Sequence, residues 1–326
     1  MAVPYSILDL VPIRAGGSMI EAYRHMTDLA QRAEGWGYAR YWLAEHHGHP
    51  GVGSAATSVL IGHVLDHTKT IRVGSGGIML PNHAPLIIAE QFGTLETFYP
   101  GRVDLGLGRA PGTDQQTAQA LRRHLGGGAD RFAQDVIELQ HYFAAGSPEH
   151  RVRAIPGEGL EVPLYILGSS LYGAELAALL GLPFAFAAHF APEYLIPAMA
   201  LYRSKYRASA RHPAPYAMAA VHVVAAPSRD EAQFLSTSAQ QQFLNLGRGD
   251  PQPLQPPVED INLCGSPAEI VMMRRKLATA IVGDAADVRA GLAEFQARIQ
   301  ADEVILTSMI HDHAARCRSF EIAQAR

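Results

Sequence analysis

The feature that most constrains this chain is its regular alternation of short apolar runs with longer helix-compatible stretches. Short buried runs joined through helix-length crossovers describe a parallel sheet covered by helices. Strands are predicted at Pro4–Leu10, Tyr38–Ala44, Thr70–Leu80, Arg102–Leu107, Pro163–Leu167, Phe184–Ala188, Ala217–Ala225 and Glu303–Met309. Helices are predicted between them, the first from Ser18, a plausible N-cap, to Glu34 with Gly35 as its stop. Others cover Ser54–Asp66, Pro85–Phe98, Asp130–Ala144, a stretch ending at Leu180, 192–209, Ser228–Leu246, 267–279, 285–300 and the residues after Asp312. Eight strands with intervening helices is the count of an α/β chain folded as a (β/α)8 TIM barrel. A doubly wound open sheet is the second choice. Residues 110–160 read as an insertion after the fourth strand. The Pro- and Gly-rich segment 247–260, beyond the seventh strand and its helix, reads as a loop able to close over a site. The whole chain, 1–326, is expected to be one domain.

Bulk properties narrow the function. A net charge of −4 and only three lysines give no basic surface, so nucleic acid is not an expected partner. No apolar run reaches the ~20 residues that span a bilayer, and the N-terminus reads as a strand rather than a secretory signal. The two cysteines, Cys264 and Cys317, lie in no disulfide or metal spacing. A soluble cytoplasmic enzyme without a membrane partner is the expectation.

In a barrel, function collects where strands end at the C-terminal face. Four segments stand there. Glu45-His46-His47-Gly48-His49 follows the second strand, and imidazoles suit proton transfer or hydrogen bonding to a cofactor. His49 reads as exposed, and Glu45 as a loop anchor. Gly76-Gly77 interrupts the third strand, either as a bulge or as bare backbone for a flat ring. Gly108-Arg109 ends the fourth strand, where Arg pairs with phosphate or makes a surface ion pair. Gly168-Ser169-Ser170 and Gly173 open the helix after the fifth strand, where exposed N–H groups favour an anion and the same residues serve as ordinary caps. His47, His49, His189, His311 and His313 were weighed as metal ligands of a hydrolytic barrel, but their strand positions are wrong for it, so no metal is expected. His63 and His222 read as structural, and Trp36 and Trp42 as core.

Taken together, YWLAEHH, VGSGGIMLPNHAPLIIAEQFGTLETFYPGRVDLGLGRAPG and LGSSLYGAELAALLGLPFAFA resemble the bacterial luciferase-like flavin-dependent monooxygenase family, the alkanal monooxygenase-like oxidoreductases. The similarity covers most of 3–190 and resumes around 281–310. It implies an FMN cofactor, reduced by a separate flavin reductase and used with O2 on a small hydrophobic substrate, and a homodimer. His46 matches the histidine that supports the oxygen-bearing flavin. Gly76-Gly77 matches a non-proline cis peptide beside the flavin ring. Arg109, with Gly108, matches the strand end where Arg meets the flavin phosphate, and Gly168, Ser169, Ser170 and Gly173 fall where that phosphate is cradled. The chain departs from luciferase at Gly108, where luciferase has a reactive Cys, and at the Gly-Ser-Ser run, which replaces an acidic residue; light emission is not expected. A deazaflavin-dependent hydride-transfer enzyme of the same superfamily, a flavin-binding protein without turnover and a metal-dependent hydrolase are the alternatives.

Overall fold

The computed structural model describes residues 3–110, 115–121, 131–146 and 151–325. Its strands are β1 (Tyr5–Asp9), β2 (Arg40–Leu43), β3 (Arg72–Met79), β4 (Val103–Gly108), β5 (Leu164–Gly168), β6 (Phe184–Phe186), β7 (Ala217–Ala225), β8 (Ile281–Gly283) and β9 (Glu303–Thr307). All pairings are parallel. β1 to β7 follow one another in order, and β9 lies between β7 and β1, closing an eight-stranded TIM barrel. β8 falls outside the eight predicted strands. It pairs with Val223–Ala225, the end of β7 that projects past the ring.

Helices cover the barrel: α1 (Met19–Trp36), α2 (Thr57–His67), α3 (Pro85–Phe98), α4 (Gln115–Leu121), α5 (Phe132–Phe143) and α6 (Leu171–Leu180) in the first part of the chain. Then come α7 (Leu195–Lys205), α8 (Arg229–Gly247), α9 (Pro267–Lys276), α10 (Ala285–Ile299) and α11 (His313–Gln324). None among the described residues is long and apolar enough to cross a membrane. Ser18 caps α1 in a reciprocal capping box with Glu21. The helix stops at Gly37 rather than Gly35, because Gly37 adopts the left-handed φ of 81° that lets its N–H reach back to Ala33 and Glu34. The insertion after β4 carries α4 and α5; the helix start expected at Asp130 and the residues Pro111 and Gly112 lie outside the described residues.

Side-chain alternation separates two apolar layers. On β7, Ala217, Ala219, Val221 and Val223 pack toward the helices, while Met218 and Ala220 point into the lumen with Leu8, Trp42, Tyr165, Ala185 and Ile305. Polar groups plug the bottom of that lumen. Arg40 donates to Asp104 at 2.8 Å and to Glu303 at 3.1 Å, Arg72 joins Asp104, and Tyr216 donates to Glu303. Asp104 and Glu303 are fully buried, so these paired partners are what makes their charge tolerable there. Arg316 of α11 and the Tyr41 hydroxyl hold the buried Asp9 in the same way, tying the last helix to β1 and β2.

The Pro-rich loop is tethered. Leu254 is buried, its N–H donates to Ile13, and its carbonyl accepts from Ala15. Burial of such a side chain contributes about 2 kcal/mol. Of segment 247–260, Gly247, the last residue of α8, lines the barrel-mouth cavity.

Candidate functional site

A cavity of about 590 Å³ opens at the C-terminal ends of the strands, within the ~300–1,000 Å³ usual for small-molecule sites. It brings together every residue that the sequence nominated for catalysis or cofactor binding: His46, Gly76, Gly77, Gly108, Arg109, Gly168, Ser169, Ser170 and Gly173.

One wall is backbone. The Gly76-Gly77 peptide is cis, and the β3–β4 register shifts between Ser75 and Ile78, so this segment is both a bulge and a cavity wall. Glycine is required by close approach. A Cβ on Gly77 would lie 2.6 Å from the Gly106 carbonyl oxygen, and one on Gly76 would lie 2.6 Å from Leu8 Cδ1 and 3.1 Å from Trp42 Cβ. Trp42 is core, as expected, but its ring region also borders the cavity.

One end is suited to an anion. Arg109, exposed at the end of β4, places its guanidinium 4.3 Å from the centre of the Tyr172 ring, a stack that orients it over the first turn of α6. Ser170 stands at the N-cap of α6, yet its side chain accepts no backbone N–H. The ordinary capping bond is therefore unmade, and the positive end of the helix dipole meets the cavity. Gly168 and Gly173 let β5 and α6 approach: a Cβ on either would sit 3.4 Å from the other's Cα.

The histidine cluster divides by role. His46 lines the cavity, and its N–H donates to Ser54. His47 and His49 turn elsewhere. His47 Nε2 lies 2.8 Å from Glu45 Oε1, and His49 Nδ1 accepts the Gly51 N–H, so His49 is half-buried rather than solvent-exposed. Glu45 is the loop anchor the sequence suggested. Its carboxylate accepts from the Met79 N–H at 3.0 Å and contacts His83 Nε2 at 2.9 Å, pinning the turn after β3. Burial opposes the Glu45 charge, but hydrogen bonds from His47, His83 and Met79 outweigh it and hold the carboxyl at about 2.

Two histidines of the cavity were not among the residues nominated for it. His222, taken as structural, is buried on β7 opposite Thr307 and lines the cavity. His189, weighed only as a metal ligand, lines it too, in the turn after β6. The usable signal was period two: Ala220 then His222, and Ala185, Ala187 then His189, face one side. The other histidines considered as metal ligands have partners elsewhere: His311 contacts the Ala15 carbonyl and His313 pairs with Asp28 on α1. Among the described residues, the tight ligand-type groups are instead Glu45–His47–His83 and Asp28–His313–Cys317.

The model of the luciferase-like monooxygenase family matches residues 3–300. This chain belongs to that family. A luciferase-like monooxygenase from Escherichia coli (strain K12) is 53% identical over 321 residues, covering 98% of this chain and 96% of the relative. The crystal structure of apo-MsnO8 superposes with a TM-score of 0.88 at 30% identity, covering 99% of this chain and 98% of that one. Two structures share the fold at lower identity. One is the oxygenating constituent of 3,6-diketocamphane monooxygenase from Pseudomonas putida in complex with FMN, with TM-score 0.74, 16% identity, and coverage of 100% of this chain and 98% of that one. The other is an F420-dependent secondary alcohol dehydrogenase, with TM-score 0.68, 17% identity and full coverage of both chains. This luciferase-like monooxygenase family member is thus an oxidoreductase built on a TIM barrel, with its nominated residues gathered at the mouth where such barrels act.

Proposed function

We propose that this chain is the oxygenase of a two-component monooxygenase that takes reduced FMN from a separate flavin reductase and uses it with O2 on a small, largely apolar substrate. The carrying observation is the polarity of the barrel-mouth cavity: a cation and an uncapped helix N-terminus at one end, bare Gly76–Gly77 backbone along a wall, and His46 beside it. A phosphate-bearing flat ring fits that order. Arg109 and the α6 N-terminus would hold the phosphate, and the Gly76–Gly77 segment would face the ring. When bound, the reduced flavin supplies the electrons that activate oxygen. The protein's own part is positioning and shielding. His46 would offer a hydrogen bond at the reacting edge, and Phe186, Phe243 and Leu246 would exclude water. Among structures that share the fold, one is a complex with FMN and another an F420-dependent enzyme, and a titration against both cofactors separates the two readings. A cytoplasmic homodimer is the expected working form.

Anaerobic titration with reduced FMN and with the deazaflavin, followed by oxygen uptake with medium-chain aldehydes, tests the reading. Reduced FMN should bind more tightly, and aldehyde should couple oxygen uptake to product. Arg109→Ala should weaken FMN binding by ~1.5–3 kcal/mol through loss of a charged hydrogen bond. His46→Ala should keep FMN binding yet raise oxygen uptake without product. Tighter deazaflavin binding would replace this proposal with the hydride-transfer alternative.

A further inference from the structure

We propose that His189 and His222 hold the polar end of the substrate, an uncharged oxygen function such as a hydroxyl or carbonyl on an otherwise apolar molecule. This rests on the monooxygenase reading for its chemistry, but the site itself is read from the cavity. Both imidazoles line that cavity. Each carries a buried ring nitrogen, Nδ1 of His189 and Nε2 of His222, without a hydrogen-bond partner among the described residues. A buried polar atom left unpaired is costly, so a ligand group able to pair with it is selected over one that cannot. His189 follows β6 and His222 stands on β7, whereas Arg109 ends β4 and Ser170 follows β5, so the two imidazoles belong to other elements than the proposed phosphate end.

Charge selects the class of ligand. Burial pushes His222 down to about 4, with Arg316 adding to the effect. Burial, with the neighbouring His222 and His46 rings, lowers His189 to about 3. Both rings are therefore neutral at pH 7, and each presents one donor and one acceptor. Of the cations that line the cavity, Arg109 is stacked on Tyr172 at the proposed phosphate end and Lys276 lies 3.8 Å from Glu193, while Arg316, whose charge bears on His222, is held by Asp9. A carboxylate brought to the two imidazoles would meet neutral dipoles, whereas the Arg109 end of the same cavity would attract it. The neighbouring Ala220, Ile305, Phe243 and Leu246 offer apolar surface to the rest of the molecule.

The test uses 1-octanol and octanoate as probes at pH 8, by calorimetry on the full chain in saturating inorganic phosphate, which occupies the Arg109 end, beside an FMN titration of the same samples without phosphate. The wild type should bind 1-octanol about tenfold more tightly than octanoate, the worth of one buried hydrogen bond. His189→Phe/His222→Phe should lose that preference while FMN affinity stays within about twofold. His189→Gln and His222→Asn, which keep a donor and an acceptor, should retain it and cover the case in which the aromatic pair fails to fold. Equal binding of 1-octanol by wild type and double variant, or tighter binding of octanoate by the wild type, would overturn the inference. Loss of FMN binding in the wild type, with the octanol preference intact, would instead count against the cofactor reading alone.

Discussion

Glu45 shows how one side chain sets up a site it does not line. It is nearly fully buried, sits between the cavity-lining Ala44 and His46, and ties the β2 end to the turn after β3 through Met79 and His83. Its folded carboxyl is depressed to about 2 from an ordinary 4.5. A depressed carboxylate stabilises the fold fully above the unfolded value, and that contribution is lost as pH falls from about 4.5 through about 2. At ~1.4 kcal/mol for each pH unit between the two values, the contribution is about 3 kcal/mol at neutral pH. Glu45→Gln should lower stability at pH 7 by that order and flatten the decline between pH 4.5 and 2, which denaturant melts at stepped pH would read. An unchanged acid profile would mean the clamp does not form.

At the scale of elements, the β3–β4 pair leaves no room for side chains at several positions. It is built on glycine at facing positions. A Cβ on Gly106 would collide with the Ser75 carbonyl oxygen, and one on Gly74 with the Asp104 carbonyl oxygen. Backbone atoms cannot move aside as side-chain tips can, so the strands would have to part. Gly106→Ala should therefore lower the melting temperature or abolish soluble expression, whereas Gly35→Ala, at an open position within α1, should be neutral or stabilising by up to ~1 kcal/mol. Equal thermal melts for the two variants would contradict the close approach. The contrast was only partly legible. Glycines within a strand run signalled a bulge or a close contact, but Gly35 and Gly37 look alike in the chain. Their difference is a matter of φ, which depends on where the helix must turn toward Tyr38 and β2. β8 was missed for a related reason. Three residues, Ile281–Gly283, between two helices have no periodicity of their own, and they become a strand only because β7 outruns the ring and leaves an edge to pair.

Across the whole molecule, the buried neutral histidines make acid the weak side. A histidine whose folded value is depressed stays neutral while the unfolded chain takes up protons, so stability falls as pH drops below the unfolded value. For His222, at about 4 against 6.5, and His189, at about 3, the fall begins near pH 6.5 and continues toward pH 4. His222 alone should account for about 2–3 kcal/mol by pH 4. The melting temperature should be level between pH 7 and 8 and drop below 6.5. His222→Asn should shallow that drop, and an unaltered slope would show that the ring is not held neutral.

The order of strands and helices, the mouth of the barrel as the place of chemistry, and the nine residues from His46 to Gly173 were all accessible from the chain, because apolar periodicity, helix caps and glycine placement act over a few neighbouring residues. What only the tertiary structure decided was the company each histidine keeps. His46 stayed at the cavity while His47 turned to Glu45, which also holds His83, and His189 and His222, far apart in sequence, arrived in the same cavity. Closure of the ring brings β6 and β7 side by side and faces the alternate residues of each inward. No local pattern encodes that neighbourhood, since it depends on where two distant segments of backbone are joined.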